Sequence, residues 1–188
     1  MTPVAWRRAG EPSGHSIGVV SEVGERFAGH GWEVVAGERE TWAIHFLFEA
    51  DAAWRTRSTV IDLTDATGTR RMTLRSDQRR RWRVDGRRRP ELDGCLDVDV
   101  AATPLTNTLP IRRLGLAPGE HAEIRVAWVD VPSLDVEVVA QRYTRLETAG
   151  EVDHYEFRAL PSGRRYLLSV DPQGVVIDYE GIWARVVP

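Results

Sequence analysis

The sequence predicts an all-β, mainly antiparallel fold in which many strands surround a single short helix. Three observations carry this reading. Apolar and polar side chains alternate with period two along most of the 188 residues, and that period places the two sets on opposite faces of a strand. Clusters of Gly, Pro and Asp punctuate the alternation at short intervals. Helix-start chemistry occurs convincingly in one stretch near the middle. No linker, repeat or low-complexity tract divides the chain, so residues 1–188 read as one domain.

Residues 4–8 predict a first strand and residues 15–20 a second, with GEPSGH as the turn-rich link between them. Residues 20–28 are ambiguous, because Val20, Val23 and Phe27 keep helical spacing while glycines fall among them. A glycine inside a helix costs about 1 kcal/mol, so bent strands are expected there. From Thr41 the pattern clears, with Trp42, Ile44, Phe46 and Phe48 on one strand face. Asp51 to Ala53 turns the chain, residues 54–63 return as a strand, and Thr67-Gly68 leads into residues 69–76. Residues 79–84 and those after Arg87 flank Asp85-Gly86, a two-residue hairpin signal because both residues tolerate positive φ.

Residues 92–114, LDGCLDVDVAATPLTNTLPIRRL, are the stretch on which the fold is organised. It opens as a strand, with Leu96, Val98 and Val100 alternating with Asp97 and Asp99. Thr103-Pro104 then starts a helix, since a threonine hydroxyl can accept an orphan amide and proline at the first position loses no hydrogen bond. Leu105 and Leu109 share one helical face. Pro110 is expected to kink or end the element, and Arg112 and Arg113 fall near its carbonyl end, where the dipole favours cations. After Pro118-Gly119, residues 121–130 form a strand with Ala122, Ile124, Val126 and Trp128 on one face. The remainder is a meander over 136–146, 152–160, 164–170, 175–179 and 182–187, with turns at Ala149-Gly150, Ser162-Gly163, 172–174 and Gly181. Connections this tight require antiparallel pairing. A sheet this long must curl or close to hide its edges.

Composition bounds the function. A 42% hydrophobic and 28% charged chain is globular rather than disordered or fibrous. The N-terminal MTPVAWRRAGEP has two arginines with no apolar core after them, so it is not read as a secretory signal, and cytoplasmic residence is expected. Cys95 is the single cysteine, which agrees with a reducing compartment. A net charge of −3 gives no global pull toward nucleic acid or anionic lipid.

Nucleophile, phosphate-loop and zinc motifs are absent from the sequence. The five histidines stand far apart with no ligand spacing, and neither metal nor cofactor is expected. Asp97 and Asp99 lie on one strand face about 7 Å apart. Such a pair can act as acid and base on a sugar or lipid-like substrate, or can form ion pairs with arginines such as Arg112 and Arg113. RRRWRVDGRRR, from Arg79 to Arg89, is the one dense basic island. With Trp82 interleaved it could meet nucleic acid or an anionic surface, or be an exposed hairpin whose charges deter edge pairing. The seven tryptophans suit a core, and large aromatics on the concave side of a curled sheet also suit an amphiphilic ligand.

WRVDG (82–86), LDGCLDVDV (92–100) and TPLTNTLPIRRL (103–114), with HFLFEADAAWRTR (45–57) and VIDYEGIWARV (176–186) around them, resemble the family of bacterial proteins called "putative glycolipid-binding". The resemblance implies a spiral β-roll, many antiparallel strands wrapped around a single short helix, and a homodimer. It also implies binding of a glycolipid or other amphiphilic small molecule such as a fatty-acyl compound, without catalysis. Carried onto this sequence, the motif positions for ligand binding are Trp82, Asp85, Asp97, Asp99, Thr103, Asn107, Arg112 and Arg113. Their structural counterpart is a hydrogen-bond network that seats the helix. The alternatives are an enzyme using Asp97 and Asp99, and an anionic-surface or nucleic-acid binder using Arg79 to Arg89.

Overall fold

The computed structural model describes residues 2–38, 40–148 and 150–186. The first half is a meander of β1 (Val4–Arg8), β2 (Ser13–Val23), β3 (Arg26–Ala36), β4 (Thr41–Ala50), β5 (Thr56–Asp65), β6 (Gly68–Ser76), β7 (Trp82–Val84) and β8 (Arg87–Arg88). A 3-10 turn at Pro90–Leu92 leads to β9 (Asp97–Val100), a second 3-10 turn at Pro104–Asn107 and the helix α1 (Thr108–Leu114). A second meander follows as β10 (His121–Val129), β11 (Val136–Arg145), β12 (Asp153–Ala159), β13 (Arg165–Val170), β14 (Val176–Tyr179) and β15 (Trp183–Arg185). Ala149 and Val187, assigned above to a turn and a strand end, lie outside the described residues.

Among the described residues all fifteen strands join one sheet in the order β8-β7-β6-β5-β4-β3-β2-β1-β15-β14-β13-β12-β11-β10-β9. The chain's first and last strands therefore meet in the middle, with Trp6 opposite Arg185. Its central residues supply both edges. Every pairing is antiparallel except β9 with β10, whose connection carries the helix. Parallel neighbours need such a crossover.

The sheet curls without closing. Val98, Val100, Ala127 and Val129 turn one face of β9 and β10 into the main core, against Ile44, Phe46, Ile61 and Leu74 of the first meander. The outer edge of β9 lies on β5, where the Thr56 amide donates to the Leu96 carbonyl at 2.8 Å and the Thr56 hydroxyl accepts from the Val98 amide at 3.1 Å. The opposite face of β9 and β10 looks into a second space, closed by β11 to β15. The helical segment stands between the two, with Leu105 and Leu109 in the first core and Ile111 in the second.

Strand β3 shows how the first meander accepts its aromatic core. Gly29 and Gly31 sit directly opposite Phe48 and Phe46. A Cβ on Gly29 would lie 2.2 Å from the Phe48 ring, and one on Gly31 would lie 2.7 Å from the Phe46 ring. Glycine is required there for space, which accounts for a glycine-rich segment that is nonetheless a strand.

Thr103 starts the helical segment as expected, its hydroxyl accepting from the Leu105 amide at 3.2 Å. Pro110 does not end it. The first turn is 3-10, so Pro110 falls in the first turn of α1, where proline's fixed φ suits the helix and its missing amide is tolerated. The helix stops instead at Gly115, which takes a left-handed φ of 54° and donates to the Ile111 carbonyl. Two strand starts also move. The Asp51 carboxylate accepts from the amides of Ala53 and Arg55, and Asp77 from those of Arg79 and Arg81, so each aspartate folds a turn before β5 and β7 begin.

Candidate functional site

The concave face of the second meander encloses a cavity of about 560 Å³. Register places its walls. Asp99 of β9 stands opposite Trp128 of β10, Trp128 opposite Glu137 of β11, Gln141 of β11 opposite Ala159 of β12, and Phe157 of β12 opposite Tyr166 of β13. Tyr179, Ile182 and Trp183 close the far side, and Pro161, Ser162 and Arg164 line it from the β12–β13 turn. Phe157, Tyr166 and Tyr179 form an aromatic group with ring centroids 5.3 to 6.3 Å apart.

The wall where β9 meets the helical segment is polar. One Asp99 oxygen accepts from the Thr106 hydroxyl at 3.1 Å and the other from the Gln141 amide at 2.7 Å. The Thr106 oxygen accepts in turn from the Val100 amide. Asn107 donates to the Pro104 carbonyl and accepts from the Tyr143 hydroxyl at 2.9 Å. Burial raises the Asp99 pKa, with the neighbouring Asp97 charge adding to the rise and the Gln141 and Thr106 hydrogen bonds opposing it. Burial likewise pushes the Tyr143 hydroxyl well up. The Gln141 carbonyl oxygen is buried without a hydrogen-bond partner among the described residues, although the residue lines the cavity.

Asp97 is held differently. Arg113 donates to it through Nη2 at 2.6 Å and Nε at 3.0 and 3.2 Å, and Asp97 is 1% exposed. Burial raises its pKa against the pull of that guanidinium. Both oxygens are engaged, and among the two aspartates only Asp99 lines the cavity.

Of the eight positions singled out in the sequence, Asp99, Thr103 and Asn107 come together on the cavity wall. Asp97 and Arg113 pair with each other beside it. Trp82 is fully buried in the main core, its indole donating to the Cys95 carbonyl at 3.0 Å. Asp85 accepts from the Thr73 amide and hydroxyl across the hairpin. Arg112 lies 5.2 Å from the Trp54 ring centre and reaches the Pro172 carbonyl. These three stand apart from the cavity. Gln141 and the aromatics Trp128, Phe157, Tyr166 and Tyr179 escaped the motif because they are spread over five strands. Alternation put each on a strand face but could not say which face would be concave.

Among the described residues no group of three metal-ligating side chains occurs, and no helix is long and apolar enough to cross a membrane. Burial pushes the Cys95 thiol up to about 11, away from thiolate chemistry.

A model of the family described as "Putative glycolipid-binding" matches residues 3–185. The chain belongs to that family. A solved structure, the crystal structure of a DUF1089 family protein from Pseudomonas aeruginosa, is 36% identical, with a TM-score of 0.79 over 91% of this chain and 92% of that one. No curated protein matches the chain.

Proposed function

We propose that the protein is a non-catalytic binder of one amphiphilic molecule, a sugar-like head carrying an alkyl or acyl chain. One observation supports this above the others: a cavity of about 560 Å³ whose aromatic and aliphatic walls converge on Asp99, Gln141 and Asn107. Ligand pockets are typically about 300–1,000 Å³, apolar, with a few placed polar groups. Head-group hydroxyls would donate to Asp99, which the Gln141 amide holds in place, while Val138, Val139 and Ile182 receive the chain. The family's description points the same way. The homodimer implied by the resemblance belongs to this reading, as does the single domain.

The test is a titration with alkyl glucosides of increasing chain length, followed by tryptophan fluorescence. Each methylene buried is worth about 0.8 kcal/mol, so Kd should fall about fourfold per methylene until the cavity is full. Gln141→Leu should erase the preference for a glucoside over the corresponding alkanol. Affinity independent of chain length would overturn the proposal. Native mass spectrometry of the protein from its own host reads any retained lipid and the subunit number together.

A further inference from the structure

Far along the sheet from that cavity, three arginines stand in one cross-strand row. Arg75 of β6 is opposite Arg83 of β7, and Arg83 is opposite Arg88 of β8. Neighbouring strands are about 4.8 Å apart, and like charges directly opposite destabilise a sheet. Together with Ser76, Asp77 and Arg81 they line a cleft of about 250 Å³, four guanidinium groups around one carboxylate. The carboxylate is committed: Asp77 accepts from two backbone amides and pairs with Arg81 at 2.7 Å. Arg88 pairs with Asp93, which fixes it in place. Arg75 and Arg83 have no carboxylate partner among the described residues, whereas Arg70 and Arg71 on the same β6 strand pair with Asp65 and Asp62.

Edge protection explains Arg88, because charge on an edge strand deters pairing. It does not explain Arg75. That residue lies two strands inside, with β5 on one side of it and β7 on the other, and guards no edge. Nucleic-acid binding fits poorly, since Trp82, the aromatic within the basic run, is fully buried and has no face for a base to stack on. The cleft is smaller than pockets for drug-sized molecules, typically about 300–1,000 Å³, and suits a compact anion. Charge-assisted, bidentate arginine contacts are the usual means of holding phosphate.

We infer that this cleft binds a phosphomonoester group, which supplies the counter-charge that Arg75 and Arg83 lack. Two sources present that chemistry, a phosphorylated lipid head group at a membrane surface and a soluble phosphate.

Wild type, the Arg75→Gln/Arg83→Gln double variant and a control that removes the same charge elsewhere, Arg7→Gln/Arg26→Gln, are titrated with inorganic phosphate by calorimetry. They are also sedimented with phosphatidylcholine vesicles with or without phosphatidic acid. Wild type should bind in at least one arm, and the double variant should lose about tenfold per guanidinium while the control does not change. Phosphate binding without vesicle preference marks a soluble ligand, and binding that requires phosphatidic acid marks the lipid. Relief of like charge should make the phosphate-free double variant melt above wild type, and Arg75→Gln alone should move the same way. No binding in either arm, or equal loss in the control, would overturn the inference. None of these readouts depends on the glucoside cavity.

Discussion

Arg113 closes on Asp97 from the last turn of α1, with Nη2 and Nε against both carboxylate oxygens at 2.6 and 3.0 Å, and ties the helix to strand β9. Asp97 is buried and Arg113 nearly so. Removing one partner from such a pair leaves an uncompensated buried charge. Arg113→Leu should therefore cost about 3–5 kcal/mol, and the double change with Asp97→Leu much less. Urea denaturation of the three proteins measures this, and equal losses in single and double variants would contradict it.

Glu33 should make stability fall as pH rises. It is wholly buried on the inner face of β3, and neither carboxylate oxygen has a hydrogen-bond partner among the described residues. Burial raises its pKa well above the ordinary value, with the Arg8 charge opposing. The folded state therefore holds the proton more tightly than the unfolded chain. Between the two pKa values stability declines with pH by at most about 1.4 kcal/mol per unit. Glu33→Gln should match wild type below about pH 4 and exceed it increasingly above. Urea midpoints of both proteins across pH separate this slope from that of the surface carboxylates.

Gly29→Ala should destabilise by about 1–3 kcal/mol through overpacking, because the added methyl meets the Phe48 ring. Pairing it with Phe48→Leu should recover part of the loss. Thermal unfolding of the two single variants and the double gives the coupling directly.

Cys95 should resist thiol reagents in the native protein. It is buried, with its pKa pushed up to about 11, so alkylation at neutral pH should await unfolding. Rapid labelling without denaturant would show that the segment before β9 opens far more readily than its packing implies.

The strands were legible because alternation and turn chemistry are local. Trp42, Ile44, Phe46 and Phe48 announce β4 without help from elsewhere. The helix start was equally local, through Thr103 and Pro104, but its end was not. Whether Pro110 breaks a helix depends on its distance from the true α start, which the 3-10 turn at Pro104–Asn107 displaced. Pairing between distant segments had no local signature, so neither β1 beside β15 nor the parallel β9–β10 pair could be read. The cavity was half visible. Asp99, Thr103 and Asn107 fall within one motif, while Gln141 and Tyr179 reach them only through the curl of the sheet. The place of Trp82 has no local signature: it stands among arginines in the sequence, and its indole donates to the Cys95 carbonyl only in the fold.

The placement of β1 beside β15 separates the order in which the strands are made from the order in which they sit. Each meander can assemble from near neighbours, but the seam between them joins residues almost a full chain length apart, with Trp6 opposite Arg185. Contacts of such separation slow folding, so on a ribosome the seam is the last element able to form. A circular permutant, opened between β8 and β9 and with β15 leading directly into β1, would carry its strands in spatial order from one edge of the sheet to the other. It should keep the same roll and refold faster.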